Sequence, residues 1–138
     1  MPNRPEPSAA GTPSAVDPLD RLAAAAPERV NGLDWPAIER ALDDRGFGRT
    51  PVMLEPAECR ALAGLFDRER LFRTTIEMPR NGYGEGRYRY FAEPLPPAVD
   101  ALRRAFWPRL LPAARRWAAR LGLPADWPDD FDAWLARC

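Results

Sequence analysis

The residues best suited to do chemistry lie between positions 83 and 90, where tyrosines and arginines alternate. They are Tyr83, within a glycine-rich loop, and Arg87, Tyr88, Arg89 and Tyr90 directly after it. Arginine pairs with carboxylate or phosphate groups, and tyrosine offers a hydroxyl donor or a stacking surface. We therefore predict that these residues face a substrate. The alternative is a sheet edge that packs its tyrosines inward and leaves its arginines in solvent.

The residue types that are missing exclude several classes of enzyme. The 138-residue chain has no histidine and no lysine, and it has two cysteines. It cannot form a Ser-His-Asp or Cys-His relay, a Schiff base, a Gly-Lys-Ser/Thr phosphate loop or a four-cysteine zinc site. Asp, Glu, Tyr and Arg remain for acid, base or ligand roles. Taken alone, the sequence indicates a binding or structural piece, with no catalytic residue and no metal ligand assigned.

Three further patterns have a functional and a structural interpretation. Glycines 82, 84 and 86 could cradle a phosphate, but a strand follows them instead of a helix, which favours a hairpin connection. Six arginines within residues 101–121 could follow a nucleic-acid backbone, but they flank the apolar stripe on both sides and favour a solvated or paired surface. Four acids, Asp126, Asp129, Asp130 and Asp132, fit helix-cap and first-turn charges better than a metal site.

The elements that must position these residues predict an α+β fold. Residues 1–16 read as a disordered tail and residues 17–138 as a single segment. Apolar spacing and capping residues predict helices over 18–26, 35–45, 55–66, 96–121 and 131–138, and strands over 47–54, 71–78 and 87–91. Pro27 is expected to stop the first helix, and Pro108 and Pro112 to divide the fourth into two helices that meet near Trp107.

Bulk properties favour a cytoplasmic protein with neither membrane nor nucleic acid as partner. The net charge is zero, the two cysteines are far apart, and neither an 18-residue apolar run nor a signal-peptide core is present. The last helix lacks a stop signal, so we expect a boundary or truncation at Cys138.

Three stretches taken together resemble bacterial 2-oxoglutarate- and Fe(II)-dependent oxygenases, of a kind loosely related to prolyl hydroxylases. They are LEPAECRAL at 54–62, FRTTIEM at 72–78 and GEGRYRYF at 84–91. The resemblance covers residues 33–138 and is to the N-terminal third to half of such an enzyme. It implies a helical support region with a few strands of an incomplete double-stranded β-helix.

The resemblance also implies where the chemistry of such an enzyme resides. In that family a His-x-Asp pair and a distal His hold Fe(II), and an Arg or Lys further on binds 2-oxoglutarate. None of these transfers to a chain without histidine, so we expect no cofactor here and no competence alone, with a small-molecule or protein substrate reached through the full-length enzyme. Whether to class the chain as an enzyme stays open at this point. The alternative is a stand-alone module that binds a protein or an acidic partner.

Overall fold

Helices form most of the fold, and the computed structural model describes residues 16–82 and 84–138. Five α-helices and two strands follow in the order α1 (Pro18–Asn31), α2 (Trp35–Arg45), α3 (Pro56–Gly64), β1 (Phe72–Glu77), β2 (Arg87–Phe91), α4 (Pro97–Arg120) and α5 (Phe131–Leu135). This confirms the predicted α+β class. The predicted disordered tail lies almost wholly outside the described residues, which begin at Val16.

The core forms where α1 packs along α4. Leu22, Ala26 and Val30 recur every four residues on one face of α1, and all three are fully buried. The buried side chains of α4 are Ala98, Leu111, Ala113 and Ala118. Burying a side chain such as Leu22 stabilises the fold by about 2 kcal/mol, so this contact is a main source of the stability of the core.

The sequence predicts that prolines interrupt two helices, but both helices continue through them. Helix α1 continues through Pro27 to Asn31, and α4 is one helix of 24 residues that includes Pro108 and Pro112. Pro27, Pro108 and Pro112 all lie on exposed sides, where water can solvate the carbonyls that lose their N–H partner. The prediction failed because the apolar contact between the helices outweighs the lost hydrogen bonds.

Helix α2 agrees with its prediction at both ends. The Asp34 side chain accepts a hydrogen bond from the Ala37 N–H at 3.0 Å, and Gly46 ends the helix with a φ of 76°. Trp35 attaches α2 to the core, because its Nε1 donates to the Val30 carbonyl at 2.8 Å and its ring meets Phe106 edge-on.

The helical spacing of Cys59, Leu62, Ala63 and Phe66 predicts that they form the buried face of α3, but the structure buries a different face. Cys59 and Ala63 are exposed, whereas Glu58 is fully buried. Arg29 from α1 donates two hydrogen bonds to the Glu58 carboxylate, at 2.6 and 2.9 Å. An apolar pattern cannot reveal a face whose centre is a charged pair.

Two further predictions are corrected, one for the segment between α2 and α3 and one for the C-terminal helix. Residues 47–54 form no strand, and the sheet of the described residues consists of β1 and β2 alone. Helix α5 is shorter than predicted, but its start agrees, because the Asp130 side chain accepts a hydrogen bond from the Ala133 N–H at 2.7 Å.

No helix within residues 16–82 and 84–138 has the length and apolar character needed to cross a membrane.

Candidate functional site

The two strands form an antiparallel ribbon that carries four of the five residues singled out in the sequence. Glu77 pairs with Arg87, Ile76 with Tyr88, Thr75 with Arg89, and Thr74 with Tyr90. Phe72 pairs with Phe91, and the register is irregular between Phe72 and Thr74, at Arg73. Side chains alternate between the faces of a strand, so the tyrosines share one face and the arginines the other.

Tyr88 and Tyr90 form the open face of this ribbon. Their exposed fractions are 44% and 49%, and their rings meet edge-to-face with centroids 5.6 Å apart. The Arg73 guanidinium lies 5.8 Å from the centroid of the Tyr90 ring. Partial burial raises the pKa of the Tyr88 phenol, and the neighbouring Tyr90 raises it further. This face therefore offers the Tyr88 phenol, held in its protonated form, together with aromatic surface.

Arg89 occupies the opposite face and is almost completely buried. Its side chain is 6% exposed, and its Nη1 donates to the Phe66 carbonyl at 2.8 Å. The guanidinium carbon lies 4.9 Å from the Phe66 ring centroid and 5.3 Å from that of Phe72. The alternative drawn from the sequence had the tyrosines inward and the arginines solvated, but here both tyrosines are about half exposed and Arg89 is buried, while Arg87 alone is exposed as that alternative expected.

Arg87 and the glycine-rich loop complete the ribbon. Arg87 is exposed, and its guanidinium carbon lies 5.3 Å from the Phe66 ring centroid. The loop joins β1 to β2 as the hairpin connection that the sequence favours, and the Met78 N–H donates to the Gly86 carbonyl at 3.0 Å. Tyr83 lies outside the described residues. The structure therefore brings Tyr88 and Tyr90 together and separates Arg89 from them.

The arginines of α4 have partners among the described residues. Arg104 lies 2.7 Å from Asp100 and 2.9 Å from Asp132, and Arg115 lies 2.7 Å from Asp129. The ion pairs of the others are Arg103–Glu93, Arg116–Glu39, Arg116–Asp43 and Arg120–Asp43, and Arg109 donates to Asn31. The paired surface that the sequence favours is confirmed, and the acids near α5 serve as its counter-charges and as the helix cap.

The residues present do not fit a ferrous iron site. The chain has no histidine, and within the described ranges no three His, Cys, Asp or Glu side chains lie close enough to hold a metal ion. Arg89, the most buried arginine of the ribbon, is turned toward Phe66 and Phe72, away from the tyrosine face. The ribbon can bind or orient a molecule, but these groups supply no place for the metal.

A second feature was missed in the sequence, an aromatic cleft between α4 and α5. We call it the α4–α5 cleft and define it by Trp107, Trp127, Phe131 and Trp134, four of the side chains that line its volume of about 520 Å³. Four of the five tryptophans fall within residues 107–134, and this concentration was the available signal. Helical spacing alone assigns such residues to a core.

The C-terminal part of the chain matches a known oxygenase family. The sequence model of a family described as an oxygenase that catalyses oxidative methylation of damaged DNA matches residues 86–138, which hold β2, α4 and α5. This region is therefore oxygenase-like. No solved structure matches the chain.

Two curated relatives come from Mycobacterium tuberculosis. They are "Uncharacterized protein MT2286" of strain CDC 1551 / Oshkosh and "Uncharacterized protein Rv2227" of strain ATCC 25618 / H37Rv. Each is 50% identical over 48 residues, a stretch that covers 35% of this chain and 21% of the relative. The matched stretch thus spans about a fifth of each relative.

Proposed function

We propose that this chain is the N-terminal support segment of an Fe(II)- and 2-oxoglutarate-dependent oxygenase of the hydroxylase type, and that it is not catalytically competent alone. The observation that carries the proposal is the oxygenase family match over residues 86–138. The sequence resemblance of residues 72–78 and 84–91 supports it. In this proposal β1 and β2 are strands of an incomplete double-stranded β-helix, and α1 and α4 are the helices that support them.

The chain's own contribution is to position a substrate. Tyr88 and Tyr90 present aromatic surface and phenol groups at the open face of the ribbon. Arg89 braces that strand from behind through the Phe66 carbonyl. In this proposal the metal and 2-oxoglutarate are held by residues outside this chain, because the chain has no histidine and no group of the described residues fits a metal ion.

The proposed substrate is a small molecule or a protein that reaches the ribbon in the full-length enzyme. The matched family's description names damaged DNA, which is the competing substrate class. Strong binding to nucleic acid relies on Lys and Arg that release phosphate counterions. In α4 the arginines carry carboxylate or amide partners instead, and this favours the first class.

An iron titration and a product assay on the purified chain test the proposal. Under anaerobic conditions we expect no Fe(II) binding above that of a histidine-free control protein. With Fe(II), ascorbate, oxygen and 2-oxoglutarate we expect no succinate formation. Stoichiometric iron binding, or succinate released in proportion to the chain, would overturn the assignment of the metal site to residues elsewhere.

A second candidate function is a stand-alone module that binds a protein or an acidic partner. One observation favours it, an apolar groove of about 500 Å³ along α4 that Val99, Leu102, Phe106 and Leu62 line. Exposed apolar surface of this kind marks interaction sites in stable proteins. A compact species with a cooperative unfolding transition would favour the module, whereas aggregation and a broad transition would favour the support segment.

A further inference from the structure

We propose that the α4–α5 cleft binds a small carboxylate with a flat, apolar body. Ligand sites in proteins are usually clefts of roughly 300–1,000 Å³ with mostly apolar walls and a few placed polar groups. The cleft, with its volume of about 520 Å³, falls within that range. The inference rests on the cleft alone and holds whether or not the oxygenase proposal does.

The walls of the cleft select the body of the ligand. The rings of Trp107 and Trp134 are stacked with centroids 5.6 Å apart, and Trp127 meets Trp134 edge-on at 6.3 Å. The Trp107 Nε1 already donates to the Asp129 carbonyl at 2.9 Å. Its indole N–H is therefore engaged, and what these rings present to the cleft is apolar aromatic surface that suits a planar, apolar group.

Arg103 selects the charge of the ligand. Among the described residues that line the cleft, it is the one charged side chain, and 39% of it is exposed. Its contact with Glu93, at 4.0 Å, is longer than the ion pairs of the other α4 arginines among the described residues. Its guanidinium carbon lies 5.3 Å from the Phe131 ring centroid.

The neighbouring arginines are engaged more closely. Arg104 binds Asp100 and Asp132 at 2.7 and 2.9 Å, and Arg115 binds Asp129 at 2.7 Å. Arg103 is thus the guanidinium best able to donate hydrogen bonds to an incoming carboxylate at the mouth of an apolar cleft.

The experiment uses 4-phenylbutyrate as the probe, with its neutral amide and succinate as matched compounds. Three tryptophans form the wall, so intrinsic fluorescence reports binding directly, and calorimetry gives the stoichiometry. We expect saturable one-to-one binding of the phenylbutyrate and about tenfold weaker binding of the amide, because the charge-assisted hydrogen bonds are lost. Succinate has the charge without the apolar body and is expected not to compete.

Three variants locate the site. Arg103→Gln should weaken phenylbutyrate binding about tenfold and abolish the preference for acid over amide. Ala114→Phe, which fills the cleft, should abolish binding of both compounds. Arg120→Gln changes a more exposed arginine of the same helix, which does not line the cleft, and should leave binding unchanged. Circular dichroism of each variant confirms that it is folded.

Four results would overturn the inference. They are an unsaturable fluorescence change, equal affinity for acid and amide, an unaltered affinity in Arg103→Gln, and self-association through the cleft that phenylbutyrate does not displace. If Ala114→Phe fails to fold, Leu110→Glu serves instead, because its side chain is 40% exposed and lines the same cleft.

Discussion

At the scale of single residues, the pair of Arg29 and Glu58 connects α1 to α3. The hydrogen bond with Arg29 lowers the pKa of the Glu58 carboxyl group, against an opposing effect of its burial. The same carboxylate also accepts a hydrogen bond from the Glu55 N–H at 2.8 Å and so forms part of the α3 cap. One buried carboxylate thereby serves both the packing and the end of a helix.

Breaking this pair should destabilise the fold strongly. Arg29→Met leaves the Glu58 carboxylate buried without its partner and should lower the free energy of unfolding by about 3 kcal/mol. The control is Arg21→Met, because the Arg21–Glu55 pair spans 3.9 Å between side chains that are half exposed, and its loss should cost less than about 1 kcal/mol. Urea unfolding measures both. Similar losses in the two variants would contradict this role.

The same pair predicts how stability depends on pH. Because the folded state lowers the pKa of Glu58, its contribution is fully present above the ordinary pKa of a glutamate and is lost as the pH falls through the lowered value. Unfolding midpoints measured across the acid range should fall less in Arg29→Met than in the wild type. A parallel fall in both proteins would show that other carboxylates determine the acid response.

The ribbon residues should separate into structural and exposed groups. Arg89→Met removes a buried hydrogen bond to the Phe66 carbonyl and should cost about 2 kcal/mol of stability. Tyr88→Phe keeps the ring contact with Tyr90 and should change stability by less than about 0.5 kcal/mol. Chemical unfolding compares the two variants. A loss of stability in Tyr88→Phe well above about 0.5 kcal/mol would mean that the phenol hydroxyl is structural and not held for a ligand.

At the scale of elements, the left-handed turn at Gly46 fixes the end of α2. Its φ is 76°, and a side chain added there would meet no atom within 4 Å, so the effect of a substitution is conformational. Gly46→Ala should therefore destabilise the protein by about 1 kcal/mol.

Gly64 provides the matched control for that substitution. It lies in α3 and would also place a new Cβ in open space, so Gly64→Ala should stabilise by about 0.5–1 kcal/mol. Thermal unfolding distinguishes the opposite signs. A stabilising effect at both glycines would contradict the assigned end of α2.

The elements also show what the sequence could and could not predict. Helix α2 has its cap, its apolar spacing and its terminal glycine within one short stretch, and both of its ends agree. The alternation in β1 and β2 placed the strands and put the two tyrosines on one face. These features are local, so local patterns suffice.

The errors arose where distant contacts decide the outcome. Pro27 and Pro108 stay within helices because α1 and α4 pack together, and no local rule contains that contact. The burial of Arg89 depends on Phe66, 23 residues earlier in the chain. The α4–α5 cleft likewise requires the chain to return over Trp107 after α4. Such features belong to the fold and not to a sequence window.

At the scale of the whole molecule, the contact between α1 and α4 joins the N-terminal helix to the helix that forms one wall of the cleft. Leu22→Ala should open a cavity in this contact and lower the unfolding free energy by about 2–5 kcal/mol. Calorimetry should show one transition that shifts as a unit. Two separate transitions would mean that α4 and α5 fold without α1, and the support role proposed for α1 would then fail.

The central claim is that this chain supports an oxygenase whose iron ligands lie elsewhere. Its most direct test is the coding sequence that follows codon 138. We predict an open reading frame that continues in phase and encodes a His-x-Asp pair, a later histidine and an Arg or Lys to bind 2-oxoglutarate. A stop codon directly after Cys138 would contradict the account and favour a stand-alone binding module.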